Sequence, residues 1–215
     1  MDYSSKDVMK TGTTTLGLVC KDGILMCADR RATVGHLIAN KKAHKLLELT
    51  DKIWITMAGT VSDAQLLLRL AKAEMRLKRI RTGRDCTVEE ATNFLARMVY
   101  NNLRKPSMVP GVSHFLVGGY DHNGYCLYDV FPDGTVTLID DFISSGSGSV
   151  MVYGVLETLY KPELTTEQAL PLALKSINAA LQRDSASGNG VDVVIIKKDS
   201  AKMIFEQTIN NKIKF

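Results

Sequence analysis

The sequence contains no apolar run long enough to cross a membrane. A membrane-spanning helix needs roughly 18 or more consecutive apolar residues, and no stretch of the 215 residues approaches that length. The leader from Met1 to Gly12 is mostly polar and lacks the apolar segment of a secretory signal. We therefore expect a cytoplasmic protein that is neither exported nor associated with a membrane.

Cysteine is scarce, and its spacing fits neither a metal site nor a redox motif. The four cysteines are Cys20, Cys27, Cys86 and Cys126, and no two of them form a C-x-x-C pair. No histidine lies near enough in the sequence to complete a zinc site with them. We expect free thiols in a reducing compartment.

The chain also lacks a linker. There are only 5 prolines, and no Pro/Gly/Ser-rich segment divides the sequence. Hydrophobic residues make up 45% and charged residues 23%, which is close to the average of globular proteins and argues against disorder. A chain of this length can bury one good-sized core, so we expect a single domain.

The net charge of +4 arises partly from one short basic segment. Its members are Arg76, Lys78, Arg79, Arg81 and Arg84. Binding of nucleic acid is one interpretation of such a cluster. However, it falls at the end of a predicted helix, where cations complement the helix dipole, and no aromatic residues are interleaved with it. We expect no nucleic-acid partner.

Turn signals divide much of the chain into hairpins. Lys21-Asp22-Gly23 separates Thr13 to Cys20 from Ile24 to Asp29, and Asp-Gly is a strong hairpin signal. Further strand-like runs are Lys45 to Leu49, Ile53 to Ala58, Ser113 to Tyr120, Tyr125 to Phe131, Thr135 to Phe142, Val191 to Lys197 and Lys202 to Glu206.

Four segments have helical periodicity, and they come in two pairs. Three of them begin at predicted capping boxes, which are Ser62 with Gln65, Thr87 with Glu90, and Thr165 with Gln168. A fourth helix is predicted from about Met151 to Leu159. Paired helices between strand hairpins are not the alternation of a doubly wound fold. They predict an α+β fold, a four-layer αββα sandwich of two antiparallel sheets covered by helices.

The most informative chemical feature is the run Gly12-Thr13-Thr14-Thr15 behind the polar leader. A threonine hydroxyl is a weak nucleophile until a base takes its proton. Cleavage of the bond between Gly12 and Thr13 would give Thr13 a free α-amine, which can serve as that base. Its unperturbed pKa is about 7.7–8.0, so a useful fraction is neutral near pH 7.

Two more residues lie where hairpin pairing can bring them to Thr13, and a third offers a suitable backbone group. Asp29 ends the second predicted strand, and Lys45 opens a later one. A lysine near the hydroxyl favours the alkoxide, and a carboxylate can hold that lysine. Gly59 ends another strand and offers a backbone N–H suited to an oxyanion hole. Taken singly, each is equally compatible with a structural role.

Six ordered motifs are similar to the β subunits of the proteasome core particle, which are N-terminal nucleophile hydrolases. They are G-T-T-T-L-G-L at Gly12 to Leu18, A-D-R-R-A-T at Ala28 to Thr33, K-x-x-K-L at Lys42 to Leu46, M-A-G-T-V-S-D-A-Q at Met57 to Gln65, G-S-G-S at Gly146 to Ser149 leading into Tyr153 to Glu157, and R-D-S-A-S-G-N-G at Arg183 to Gly190. The resemblance covers nearly the whole chain from Gly12, and the short leader resembles the archaeal type.

The resemblance implies a threonine endopeptidase. Thr13 would be the nucleophile, its amine the proton acceptor, Lys45 the residue that tunes the hydroxyl and Asp29 the support of Lys45. The backbone N–H of Gly59 would hold the oxyanion. A hydrogen-bond network around the Thr13 amine would be formed by Ser147, Asp184 and Ser187. No metal and no organic cofactor is implied.

Maturation follows from the same resemblance. Residues 1–12 would be a propeptide that is removed by autocleavage between Gly12 and Thr13, and residues 13–215 would form the catalytic domain. While the leader remains attached, the nitrogen of Thr13 is an amide and cannot act as the base. A chain that keeps its leader would therefore be an inactive precursor.

The resemblance also implies how the substrate binds. Thr33 and Gly59 would pair with an extended peptide through backbone groups, as an added strand. The pocket for the side chain before the scissile bond would be formed by Ala32, Ala43, Met57 and Val61. These are small or apolar, so cleavage after hydrophobic residues is expected, and Met57 would adapt to varied shapes. Each of them can also be an ordinary core residue.

The partners implied are proteasome α subunits and other β subunits in stacked heptameric rings, a separate regulatory ATPase, and unfolded polypeptide as substrate. Two alternatives remain open at this point. The chain can be a structural β subunit that never matures, or it can resemble the bacterial protease that works with an unfoldase ring. Retention of both Thr13 and Lys45 argues against the first, and the later motifs argue against the second.

Overall fold

Two five-stranded antiparallel sheets form the centre of the protein in the computed structural model, which describes residues 12–108 and 110–209. The predicted propeptide, except for Gly12, lies outside the described residues. The strands are β1 Thr15–Cys20, β2 Gly23–Asp29, β3 Ala32–Val34, β4 Leu37–Asn40, β5 Leu46–Thr50, β6 Ile53–Gly59, β7 Ser113–Asp121, β8 Gly124–Val130, β9 Val136–Ile139, β10 Phe142–Ser145, β11 Gly190–Lys197 and β12 Ser200–Thr208. The helices are α1 Val61–Thr82, α2 Val88–Arg104, α3 Ser149–Leu159 and α4 Thr166–Arg183.

The sheets combine the predicted β1–β2 hairpin with pairings between strands that are distant in the chain. The first sheet has the order β10-β1-β2-β11-β12, and the second has β5-β6-β7-β8-β9. In the β1–β2 hairpin, Thr15 pairs with Ala28 and Cys20 pairs with Gly23. This register brings Asp29, at the end of β2, beside the start of β1.

Alternation along the central strands explains the four layers. In β2, Leu25 and Cys27 pack with residues of α3 and α4, whereas Met26 and Ala28 pack with residues of the second sheet. Another cluster of buried residues joins the second sheet to α1 and α2. A strand with helices on one face and a sheet on the other is expected to be a nearly continuous apolar run, and β2 is buried throughout and has no polar side chain before Asp29. The predicted αββα sandwich is confirmed.

Two of the three predicted capping boxes are present at helix starts. Thr87 and Thr165 form the predicted capping boxes with Glu90 and Gln168. The box predicted at Ser62 is wrong, because the N-cap of α1 is Thr60, two residues earlier, and it forms no side-chain cap. The N–H of Thr60 donates to the carbonyl oxygen of Val112, the residue before β7, so a tertiary contact holds the residue at this helix start.

One predicted strand proves to be two. The run from Thr135 to Phe142 divides at a bend at Asp140 and Asp141, which leaves β9 in one sheet and starts β10 in the other. Residue alternation alone cannot show such a change of sheet, since both halves retain strand character. The hairpin of β3 and β4, which is short and mostly exposed, was not predicted.

The basic segment at the end of α1 is largely paired with acidic groups. Lys78 and Arg84 each contact Glu90 at 2.7 Å, and Arg79 contacts Asp85 at 3.2 Å. These pairs hold the end of α1 against the start of α2. The cluster therefore has a structural explanation that requires no nucleic acid.

Candidate active site

The predicted lysine and aspartate form a buried ion pair. Asp29 ends β2, Lys45 directly precedes β5, and the lysine Nζ lies 2.7 Å from Asp29 Oδ1. Both side chains are almost fully buried. Asp29 also accepts three backbone N–H bonds at 2.9 Å each, from Thr14, Arg31 and Gly188. Hydrogen bonds from the protein thus replace those that the carboxylate would make to water.

Burial also affects the pKa of Lys45. Desolvation lowers the pKa of the lysine from its ordinary value, because removal from water disfavours the charged form. The negative charge of Asp29 and its hydrogen bond act in the opposite direction. The lysine consequently gives up its proton more readily than a surface lysine does, while remaining held by its partner.

Thr13 lies two residues before β1 and is buried, with its hydroxyl against the predicted cleavage bond. Its Oγ1 donates to the Gly12 carbonyl oxygen at 2.7 Å. The Nζ of Lys45 donates to the same oxygen at 3.3 Å. A hydroxyl and a cationic donor therefore converge on one carbonyl group, an arrangement that polarises this carbonyl for nucleophilic attack.

Gly12 is held tightly in this geometry. Its N–H donates to Thr33 Oγ1 at 3.0 Å. A Cβ added at position 12 would lie 1.7 Å from the Cβ of Ala186, a separation that real atoms do not adopt. The fold therefore admits only glycine before Thr13 without movement of the loop that follows α4.

The two serine hydroxyls and the aspartate carboxylate expected around Thr13 are hydrogen-bonded to one another. Ser147 follows β10, Asp184 caps α4, and Ser187 lies in the loop before β11. Ser147 Oγ and Ser187 Oγ each lie 2.6 Å from Asp184 Oδ2. The N–H of Thr13 donates to Ser147 Oγ at 3.3 Å. A continuous set of hydrogen bonds therefore connects the nitrogen of Thr13 to Asp184.

Gly59 ends β6 in a conformation that favours glycine. Its φ is +102°, and a Cβ there would lie 2.2 Å from the carbonyl oxygen of Val112. Two residues earlier, the N–H of Met57 bonds to the carbonyl of Lys45 at 2.9 Å. The end of β6 is thereby tied to the residue that carries the buried lysine.

The predicted substrate-binding residues come from four parts of the chain. Ala32 and Thr33 lie in β3, Ala43 precedes β5, Met57 lies in β6, and Val61 begins α1. Ala43 and Ala32 are half-buried and Val61 is exposed, as a binding surface requires. Met57, in contrast, is only 5% exposed and packs in the core between the second sheet and α1 and α2. The pocket itself remains a prediction.

Two residues that link the parts of the site were not predicted. The Arg31 guanidinium donates to the Ser185 carbonyl at 2.7 Å and to Asn189 Oδ1 at 2.8 Å, which ties the end of β2 to the loop after α4. Thr14 contacts both Asp29 and Ser187. Their positions inside the matching motifs were a signal that could have directed attention to them.

A second charged cluster lies beside the site. His44, Asp192 and Glu206 offer three possible metal ligands within the described chain. The Arg30 guanidinium contacts all of them, at 3.3 Å, 3.5 Å and 3.2 Å respectively. This arginine supplies the positive charge for the buried Asp192, whose pKa is raised by burial. The cluster is therefore an ion-pair network.

Two other predictions can be compared with the structure directly. All four cysteines are free thiols, and three of them are buried. Within the described ranges, none of the helices combines the length and the apolar character needed to cross a membrane.

The fold and the site together define an αββα sandwich protein with a buried threonine–lysine–aspartate cluster at the open end of its β1–β2 hairpin. Comparison with known proteins agrees with that class. The family model for proteasome subunits matches residues 9–196. The chain belongs to the proteasome subunit family.

The similar curated proteins are β subunits from archaea. A "Proteasome subunit beta" of Methanocorpusculum labreanum is 44% identical over 209 residues, which covers 97% of this chain and 96% of that protein. Proteins of the same description from Methanosphaerula palustris and Methanococcus maripaludis are 43% and 40% identical, over 92% and 97% of this chain and 92% and 94% of their own length. The chain is accordingly a β-type member that assembles with other proteasome subunits.

Proposed function

We propose that this chain is a catalytic β subunit of a proteasome core particle in the cytoplasm and cleaves unfolded polypeptides through Thr13. The observation that carries the proposal is the convergence on the Gly12 carbonyl oxygen, where the Thr13 hydroxyl lies 2.7 Å away and the Lys45 ammonium 3.3 Å away. The archaeal relatives named as proteasome β subunits support it.

The first reaction is removal of residues 1–12. Thr13 Oγ1 adds to the Gly12 carbonyl carbon, the C–N bond to Thr13 breaks, and the proton of the hydroxyl ends on the freed nitrogen. The product is an ester between Gly12 and Thr13. Water hydrolyses this ester, which releases residues 1–12 with a carboxyl group and restores the hydroxyl.

The second reaction is peptide hydrolysis by the mature residue. The Thr13 amine takes the hydroxyl proton while Oγ1 attacks the substrate carbonyl, and it then gives the proton to the leaving amine. Lys45 stabilises the developing alkoxide, and the Gly59 N–H holds the oxyanion. Water then hydrolyses the ester to Thr13, with the amine again as base.

Substrate binding follows the predicted pocket. Ala32, Ala43, Met57 and Val61 present small or apolar groups, so hydrophobic side chains before the scissile bond are preferred. Thr33 and Gly59 bind the peptide backbone as an added strand. Stacked heptameric rings with α subunits enclose the sites, and a regulatory ATPase supplies unfolded chains.

The experiment compares intact masses after co-expression with the α subunits of the same organism. Wild type is expected to lose residues 1–12 and Thr13→Ala to keep them. Thr13→Ser retains a hydroxyl and is therefore expected to lose them, although more slowly. Fluorogenic peptides with a hydrophobic or an acidic residue before the scissile bond then measure activity and preference. A wild-type particle that assembles with its leader intact would overturn the proposal and favour a structural subunit.

A further inference from the structure

We infer that Thr14 is a positioning residue of the active site, whose hydroxyl donates to Ser187 and strengthens the hydrogen bond from Ser187 to Asp184 beside the Thr13 nitrogen. This inference rests on the proposed function of Thr13 as the nucleophile. Thr14 is fully buried and lies between two parts of the site. Its N–H donates to Asp29 Oδ1 at 2.9 Å, and its Oγ1 lies 2.6 Å from Ser187 Oγ.

Thr14 is held in place on all sides. Its carbonyl accepts from the Asp29 N–H at 3.0 Å, so the backbone of Thr14 is bonded to Asp29 in both directions. A Cβ on Gly148 would lie only 2.0 Å from Thr14 Oγ1, so the hydroxyl packs directly against the backbone at the start of α3. These contacts hold the Thr14 hydroxyl next to Ser187.

The number of protons decides which group donates. A serine hydroxyl has one proton, and an ionised carboxylate only accepts. Ser147 and Ser187 both lie 2.6 Å from Asp184 Oδ2, so both serines donate to it. The remaining short contact of Ser187 must then be a bond in which Thr14 is the donor. Likewise, Ser147 can only accept from the nitrogen of Thr13.

This direction has a chemical consequence once the Thr13 amine is free. Since Ser147 accepts an N–H of the amine, it leaves the nitrogen lone pair available for the Thr13 hydroxyl. The bond from Thr14 makes Ser187 a stronger donor to Asp184, because hydrogen bonds in a chain polarise one another. The stronger bond offsets more of the negative charge of Asp184. That charge therefore raises the pKa of the amine less than it would without the Thr14 hydroxyl.

The experiment measures peptide hydrolysis against pH in assembled particles of four forms, wild type, Thr14→Val, Thr14→Ser and Thr15→Val. Thr14→Val keeps the shape and removes the hydroxyl, and Thr14→Ser keeps the hydroxyl. Thr15→Val is the matched control, because Thr15 is equally buried and its hydroxyl bonds to Ser145 at 2.8 Å, away from Asp184.

Thr14→Val is expected to lower kcat roughly tenfold, the effect of losing one hydrogen bond of ordinary strength, with little change in KM. The acidic limb of the kcat/KM profile should move to higher pH, because the amine stays protonated longer. Thr14→Ser should restore the wild-type profile, and Thr15→Val should leave the limb unmoved. If Thr14→Val fails to assemble, Thr14→Ala removes the same hydroxyl without added bulk.

The outcomes separate this inference from the proposed function. A wild-type particle without autocleavage or activity would remove the basis of both. An active wild type with an unchanged pH profile in Thr14→Val, or with an equal shift in Thr15→Val, would overturn the role of Thr14 alone. Failure of Thr14→Ser to restore the acidic limb would overturn that role as well.

Discussion

At the scale of single residues, the two members of the buried ion pair are not equivalent. Asp29 accepts three backbone N–H bonds in addition to the lysine, whereas Lys45 depends on Asp29 and on the Gly12 carbonyl. Removal of the lysine therefore leaves a carboxylate that is still hydrogen-bonded. Removal of the carboxylate leaves a buried ammonium and three donors without their acceptor.

We predict that Lys45→Met destabilises the unassembled subunit less than Asp29→Ala does. The expected losses are about 1–3 kcal/mol for the lysine variant and about 3–5 kcal/mol for the aspartate variant, the range for breaking a buried pair. Both should lower peptide hydrolysis by at least ~10²-fold. Denaturant unfolding and kcat with a hydrophobic fluorogenic peptide are the measurements. A larger loss of stability in Lys45→Met would contradict this prediction.

At the scale of secondary-structure elements, Glu90 joins two helices. It closes the capping box of α2 by accepting from the Thr87 N–H at 2.9 Å, and it accepts from Arg84 and Lys78 at the end of α1. The Arg84 guanidinium, followed by Lys78, holds the pKa of Glu90 well below its ordinary value. Its stabilising contribution is therefore fully present above pH ~4.5 and is lost as the pH falls toward the lowered value.

Glu90→Gln tests this contribution, because glutamine keeps the capping acceptor and loses the charge. We expect a loss of about 1 kcal/mol or less at pH 7, since the pair is partly exposed and screened by water. The difference in Tm from wild type should shrink as the pH falls below ~4.5 and as salt is added.

Glu89→Gln provides the control for this comparison. Glu89 lies in the same helical turn and has no ion pair among the described residues. Its variant reports the helix-dipole effect of removing one charge. An equal pH dependence in the two variants would assign the Glu90 effect to the dipole and not to the α1–α2 pairs.

At the scale of the whole molecule, α1 presents an apolar stripe on the face opposite the core. Leu66, Leu70, Leu77 and Ile80 lie along it, and Leu70 and Ile80 are 50% and 80% exposed. Contiguous exposed apolar surface of this kind is typical of interaction sites. Because the family assembles from several subunits, we expect a neighbouring proteasome subunit to cover this stripe.

We predict that the double variant Leu66→Glu and Leu70→Glu weakens assembly with partner subunits. The stability of the isolated subunit should change by less than ~0.5 kcal/mol, as expected for surface substitutions. Native mass spectrometry follows assembly, and thermal unfolding follows the fold. Gln65→Glu adds charge to the same turn outside the stripe and should assemble normally. Undiminished assembly of the double variant would show that the stripe stays exposed.

Much of the fold was predictable because its signals are local. The hairpin at Asp22-Gly23 and the capping boxes at Thr87 and Thr165 each depend on a few adjacent residues. The change of sheet between β9 and β10 was not predictable, because the residues at a bend do not indicate which sheet the next strand joins.

Some features of the candidate site were likewise predictable from the sequence, and others were not. The sequence by itself singled out Thr13, and residue chemistry pointed to Asp29 and Lys45, while Ser147, Asp184 and Ser187 came only through the resemblance. Only the tertiary structure brought Thr14 to Ser187, which is 173 positions away, and Ser147 to Asp184, which is 37 away. Hairpin signals act over a few residues, whereas such contacts depend on how α3, α4 and the first sheet pack, and that packing is a property of the whole chain.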